Sequence, residues 1–171
     1  MIKPTDLFET PPELFEALNM VFDFDVDAAA AMDTAKCFDW FGPEQPLEEQ
    51  QDALKWEGKW TDLDPDGFAT SVWCNPPYSQ PNLERFARRC RDEAAKGATV
   101  VMLCPHSPET GWWREYVLQA CEVWDVFPRV QFLLDGERKP GNPWASAVVV
   151  WTPFSSGPPA RRSWTWKEAT T

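Results

Sequence analysis

Apolar residues recur along this chain at two different periods. Leu14, Phe15 and Leu18 fall three to four apart, the spacing of one helix face, and predict a helix running to about Asn19. Thr10-Pro11-Pro12-Glu13 predicts its start, with Thr10 as the cap, proline in the first turn and Glu13 completing a capping box. Phe22-Asp23-Phe24-Asp25-Val26-Asp27 then alternates apolar with acidic, the period of a half-buried strand, and ends in the alanines at 28–31. Leu83, Phe86, Ala87, Cys90 and Ala94 return to helical spacing over 82–96, with Gly97 as the stop. A further helix is expected over 110–120.

Short unbroken apolar runs predict buried strands. They lie at 71–74 (Ser-Val-Trp-Cys), 98–103, 123–126, 130–134 and 147–151. The stretch 39–70 is broken by glycine and proline, with a helix expected only over 47–56. Strands alternating with helices predict a three-layer α/β sandwich. Helices return the strands in parallel, and a closing hairpin adds an antiparallel strand at the edge. The segment from Pro153 is rich in Ser, Gly, Pro and Arg and is expected to be loose, giving a domain over 1–152 and a flexible tail over 153–171.

A chain of 171 residues carries one domain with a real core. No apolar run approaches the ~20 residues of a membrane span. The opening Met-Ile-Lys-Pro-Thr-Asp lacks the apolar stretch of a signal peptide, so the expected compartment is the cytoplasm. Cys37, Cys74, Cys90, Cys104 and Cys121 are irregularly spaced and His106 is the single histidine. That pattern suits neither structural zinc nor a disulfide framework, and no metal is expected. One histidine also weighs against Ser/His or Cys/His nucleophilic chemistry. Net charge is −11, but unevenly spread. Residues 1–80 hold 4 Lys and Arg against 17 Asp and Glu, and residues 81–171 hold 12 against 10. Any contact with nucleic acid is expected from the second half.

Asn75-Pro76-Pro77-Tyr78 follows the 71–74 strand. It brings an amide oxygen, a backbone carbonyl held by two prolines and an aromatic face to one spot. Two carbonyl acceptors can bind both N–H bonds of a planar exocyclic amino group and turn its lone pair toward an electrophile, while the ring stacks on the base. The bland alternative is a stiff strand-end turn.

The tetrapeptide is the signature of amino-group methyltransferases, and other segments match beside it. Residues 5–15 (Thr-Asp-Leu-Phe-Glu-Thr-Pro-Pro-Glu-Leu-Phe), Leu18-Asn19, Phe24-Asp25-Val26-Asp27-Ala28-Ala29, Cys74 to Ser79, Leu103-Cys104-Pro105 with Glu109-Thr110-Gly111-Trp112, Arg129 to Phe132, and Asn142-Pro143 with Ser146 together resemble the phage-type DNA N6-adenine methyltransferases, the Dam-like family of bacteriophages and prophages. The resemblance covers about residues 5–151. It implies a Rossmann-like methyltransferase fold, S-adenosylmethionine as cofactor and DNA, double-stranded, as partner. Asn75 and Pro76 would accept the two N6 hydrogens of a flipped adenine, Pro77 would stiffen the turn, and Tyr78 would stack on the base. Thr10 and Pro11 would lie near the methionine end of the cofactor, Asp27 and Ala28 would stand where a glycine-rich loop is usual, and Asn75 would touch the cofactor too. A role in shielding phage DNA from restriction follows from the resemblance alone.

Departures from the pattern are the missing Gly-x-Gly after the first strand, His106-Ser107-Pro108, and the lack of an evident acid for the ribose, with Asp39 and Glu57 the only candidates. For DNA, Arg85, Arg88 and Arg89 share a helix face, and Arg138 and Lys139 stand at a basic hairpin tip. Two alternatives stay open. One is a methyltransferase acting on protein glutamine or RNA guanine amino groups. The other is a degenerate domain that only binds nucleic acid or a partner.

Overall fold

The computed structural model describes residues 3–140 and 142–167. Its first long helix, α1 (Pro12–Phe22), buries Leu14, Phe15, Ala17 and Leu18 on the predicted face. Pro11 is the N-cap and no side chain caps the helix, so the expected Thr10 cap is not formed. The helix also runs a turn beyond Asn19. Asp23 ends it in the left-handed region (φ 49), donating its N–H to the Asn19 carbonyl, while the Asn19 side chain accepts the Phe24 N–H at 2.8 Å. This double stop at Asn19 consumes most of the expected 22–27 strand. What remains is β1 (Val26–Asp27), which pairs in parallel with β2 (Asp39–Trp40).

Between β2 and β3 (Ser71–Cys74) the expected helix over 47–56 is absent. Only 3-10 turns form, at Glu48–Gln50 and Trp60–Leu63. The excursion is fixed to α2 (Asn82–Ala95) instead. Glu93 of α2 is 1% exposed. It accepts the Trp60 backbone N–H at 2.8 Å and pairs with Arg89 at 2.8 Å and Lys96 at 3.0 Å. Arg89 also donates to the carbonyls of Trp56 and Gly58 and lies over the Trp60 ring. A polar staple thus does here what an apolar helix face does elsewhere.

The chain continues through β4 (Thr99–Pro105), α3 (Gly111–Tyr116), β5 (Glu122–Phe127), the small hairpin β6 (Leu133–Leu134) and β7 (Glu137–Arg138), β8 (Ser146–Trp151) and β9 (Ala160–Thr165). The seven-stranded sheet has the order β2-β1-β3-β4-β8-β5-β9. β8 is antiparallel to both neighbours, and the other pairings are parallel. The antiparallel strand therefore lies inside the sheet, not at its edge as expected. β4 and β5 both run outward to the same end, and β8 re-enters from that end after the hairpin.

Alternating side chains fill two cores. Cys74, Met102, Val149 and Trp151 pack under α2 and α3. Trp73, Val101, Leu103 and Val148 pack under α1. The segment from Pro153 is not loose through its described length. Residues 160–165 add β9 in parallel to β5, and Trp166 is fully buried, with its indole N–H donating to the Pro128 carbonyl at 2.9 Å. Low apolar content at 153–163 hid this strand, because it is an edge strand whose first residues face solvent. Among the described residues no helix is long and apolar enough to cross a membrane.

Candidate active site

All four residues of β3 are buried, and the chain leaves the sheet at Asn75. Pro76 and Pro77 have no N–H to extend the ladder and restrict φ, so the backbone must turn out of the strand there. The Asn75 side-chain N–H2 donates to the Phe8 carbonyl at 3.1 Å. A carbonyl only accepts, so this contact fixes which way the amide faces. Its oxygen accepts the Tyr78 hydroxyl at 2.9 Å. The same hydroxyl lies 3.4 Å from the Leu103 carbonyl of β4. Tyr78 meets Phe132 edge-on, and Phe132 stacks on Phe8 with centroids 5.3 Å apart. Burial pushes the Tyr78 phenol well above its ordinary value, so it acts as a neutral donor. Burial likewise raises the thiols of Cys74 and Cys104 beside the tetrapeptide, which favours their neutral form.

Residues 3–9 form a strap across this end of the sheet. A 3-10 turn at Pro4–Leu7 presents Asp6, whose carboxylate accepts the Ser79 N–H at 2.8 Å and the Lys3 N–H at 3.2 Å. Burial pushes the Asp6 carboxyl up, but these hydrogen bonds outweigh it and leave it below the usual value. Glu9 then exchanges backbone hydrogen bonds with Leu133 at 2.9 and 3.0 Å. Thr10 and Pro11 follow, both buried, at the same end as Asn75.

Asp27 ends β1, one strand away, in register with Trp73 and Trp40. It is 2% exposed. Its two oxygens accept the N–H groups of Ala29 at 3.1 Å and Lys36 at 3.0 Å. Burial pushes its pKa up to about 6 against those hydrogen bonds. Ala28 is tied to β3 through the Trp73 carbonyl at 2.9 Å. Beyond β2, a Cβ at Gly42 would lie 2.0 Å from the Ala30 carbonyl and 2.7 Å from the Trp40 ring. Only glycine permits that close approach, which seats the Trp40 ring against the turn after β1. A buried carboxylate, small alanines and a half-buried indole thus meet at adjacent strand ends.

The expected cations separate into two groups. Arg85 and Arg88 are exposed on α2, and Arg88 makes only a 3.9 Å pair with Asp92. Arg89 is corrected from a DNA contact to the internal staple, because its guanidinium is consumed by Glu93 and two carbonyls. At the hairpin, Arg138 is paired with Glu13 and Lys139 lies 3.5 Å from Glu137, so the tip is less basic than its sequence. His106 sits beyond β4 against Trp113, 3.0 Å from Arg161 and 3.3 Å from Asp125. Of the two ribose candidates, Asp39 lies in β2 in register with Val26, one residue before Trp40, and burial together with the neighbouring Asp64, Asp25 and Asp66 pushes its carboxyl up, while Glu57 is exposed in the β2–β3 excursion.

A family model for DNA N-6-adenine-methyltransferase (Dam) matches residues 2–169. This chain belongs to that family. It is similar to the DNA N-6-adenine-methyltransferase of Escherichia phage T1, 29% identical over 120 residues that make up 69% of this chain and 43% of that protein. It is also similar to the DNA N-6-adenine-methyltransferase of Haemophilus phage HP1 (strain HP1c1), 28% identical over 153 residues, 86% of this chain and 79% of the other. The chain thus spans less than half the length of the first relative. In this Dam-family fold the sequence-predicted Thr10, Pro11, Asp27, Ala28 and Asn75–Tyr78 share one end of the sheet, with Asp27 and Ala28 one strand from Asn75. Asp6 and Phe8 were not expected to touch the tetrapeptide. Phe8 acts through a backbone carbonyl, which leaves no trace in residue type. Asp6 lies within the matched opening segment but reads alone as a polar loop residue.

Proposed function

We propose that this chain transfers a methyl group from S-adenosylmethionine to the exocyclic N6 of an adenine in DNA, with the base turned out of the stack. The observation that carries this reading is the Asn75 amide, oriented from behind by the Phe8 carbonyl so that its oxygen faces the Tyr78 side of the strand end. An amide oxygen has two lone pairs, so Asn75 can keep the Tyr78 hydroxyl and accept one N6 hydrogen. The Pro76 carbonyl accepts the other. Held this way, the amino nitrogen loses conjugation with the ring and its lone pair becomes available. Positioning then supplies most of the rate.

Bound S-adenosylmethionine would supply an electrophilic sulfonium methyl. Asp27, Ala28, Thr10 and Pro11 would hold its amino-acid and sulfonium end, with Trp40 beside the ring. No strong base is needed beforehand, since the nitrogen becomes acidic once alkylated and gives its proton to water. Arg85 and Arg88 are exposed on α2 and free to meet phosphate there.

The test is mass spectrometry of nucleosides from unmethylated DNA incubated with the protein and S-adenosylmethionine. N6-methyladenine is expected, and Asn75→Ala should abolish it while cofactor binding persists. Product formation by Asn75→Ala at the wild-type rate would sink the assignment.

A further inference from the structure

The strap over residues 3–9 has more contacts with the tetrapeptide than a passing terminal segment needs. Asp6 holds the backbone N–H of Ser79, one residue past Tyr78, and the Phe8 carbonyl holds the side chain of Asn75. These contacts bridge 73 and 67 positions of sequence and grip the two ends of one five-residue segment. Between them lie two prolines, which cannot donate to any neighbour. The segment therefore has few bonds of its own to define its path. Its path is set at its ends, by the strap and by the contacts of the Tyr78 hydroxyl. Asp6 is itself anchored, since its second oxygen accepts the Lys3 N–H.

We propose that Asp6 is a positioning residue for methyl transfer: by holding the Ser79 N–H it fixes the turn that carries Asn75, Pro76 and Tyr78. This rests on the transfer reaction proposed above. Asp6 touches neither base nor cofactor in this scheme and acts through Ser79. Loss of its carboxylate frees the far end of the turn, so the Pro76 carbonyl and the Tyr78 ring lose their fixed relation to Asn75. The strap also pairs with Leu133 through Glu9, and Glu9 Oε1 lies 3.4 Å from the Gly136 N–H in the β6–β7 turn. The same short segment thereby links the hairpin to the tetrapeptide.

The experiment compares wild type, Asp6→Ala and Asp6→Asn in the full chain. Asparagine keeps an acceptor for the Ser79 N–H; alanine does not. A misplacement of about 1 Å costs up to roughly 100-fold in rate, so Asp6→Ala should lower kcat by about 10- to 100-fold. The cofactor Kd and the KM for DNA should stay within about threefold, and Asp6→Asn should recover most of the rate. Equal activity of Asp6→Ala and wild type would overturn the proposal. So would a weakened cofactor Kd that accounts for the whole loss, since that marks a binding role.

A second readout does not depend on turnover. In 15N-labelled protein the Ser79 amide should be protected from hydrogen exchange and lose that protection in Asp6→Ala, with the Asn75 side-chain amide signals shifting as well. Unchanged Ser79 and Asn75 signals in Asp6→Ala would refute the positioning role even if the wild-type protein methylates no DNA. Absence of N6-methyladenine with wild type instead removes the transfer reading itself.

Discussion

The hydroxyl of Tyr78 donates to the side-chain oxygen of Asn75 at 2.9 Å, so the first and last residues of the tetrapeptide are bonded to each other. On the proposed reading the bond gives Tyr78 a second part beside stacking, because it also steadies the amide that would grip the base. Tyr78→Phe keeps the ring and removes the bond. A neutral hydrogen bond is worth about 0.5–1.5 kcal/mol net, so kcat should fall by roughly 2- to 12-fold. Tyr78→Ala also removes the ring, and base stacking is worth a further ~1–3 kcal/mol. Single-turnover rates on one DNA substrate separate the two, and equal losses would show that only the hydroxyl matters.

Asp27 gives a pH dependence with a definite sign. Its folded pKa is raised from 3.8 to about 6 by burial. Burial favours the protonated form in the folded chain relative to the unfolded one, so the stability it contributes is fully present below the unfolded value and is lost as pH rises through about 6. A cationic cofactor favours the ionised form. Cofactor affinity should therefore rise with pH through about 6 and level off above it. Titration calorimetry from about pH 5 to about pH 7.5 reads this directly, and a flat profile would show that Asp27 does not face the cation.

Arg89 and Arg85 lie on one helix but should behave oppositely. Arg89→Ala leaves the buried Glu93 carboxylate with the Trp60 N–H and Lys96 alone. Breaking a buried pair costs about 3 kcal/mol, which a urea midpoint will register, while the salt dependence of DNA binding stays unchanged. Arg85→Ala should leave stability within about 0.5 kcal/mol. If Arg85 meets a phosphate, the slope of log K against log salt falls by about one.

Trp166 lies within the segment expected to be loose, yet it closes the core under α1. Trp166→Ala should destabilise by about 3–5 kcal/mol through the cavity and the orphaned Pro128 carbonyl. A denaturation midpoint equal to wild type would mean that β9 is not held in solution as described.

Legibility in the sequence followed the range of the forces involved. The helix over 82–95 and the strands at 71–74 and 99–105 were plain, because each buries one face or both and its period says so. The position of the tetrapeptide was plain because two prolines cannot continue a strand, and β3 ends just before it. The short β1 was not, because Asn19 extends α1 by capping it with both side chain and carbonyl. The excursion before β3 was not, because its anchor is a charged pair on α2 rather than an apolar stripe of its own. The strap was not, because its hold on the tetrapeptide itself is a main-chain carbonyl 67 positions away.

The placing of β8 inside the sheet leaves β2 and β9 as its two borders. β2 is two residues long. β9 carries Arg161 and Arg162, paired across to Asp125 and Glu122 of β5. A foreign strand seeking to add to this sheet meets a stub on one side and, on the other, a strand whose long charged side chains are already held in ion pairs, and both features disfavour edge-to-edge pairing.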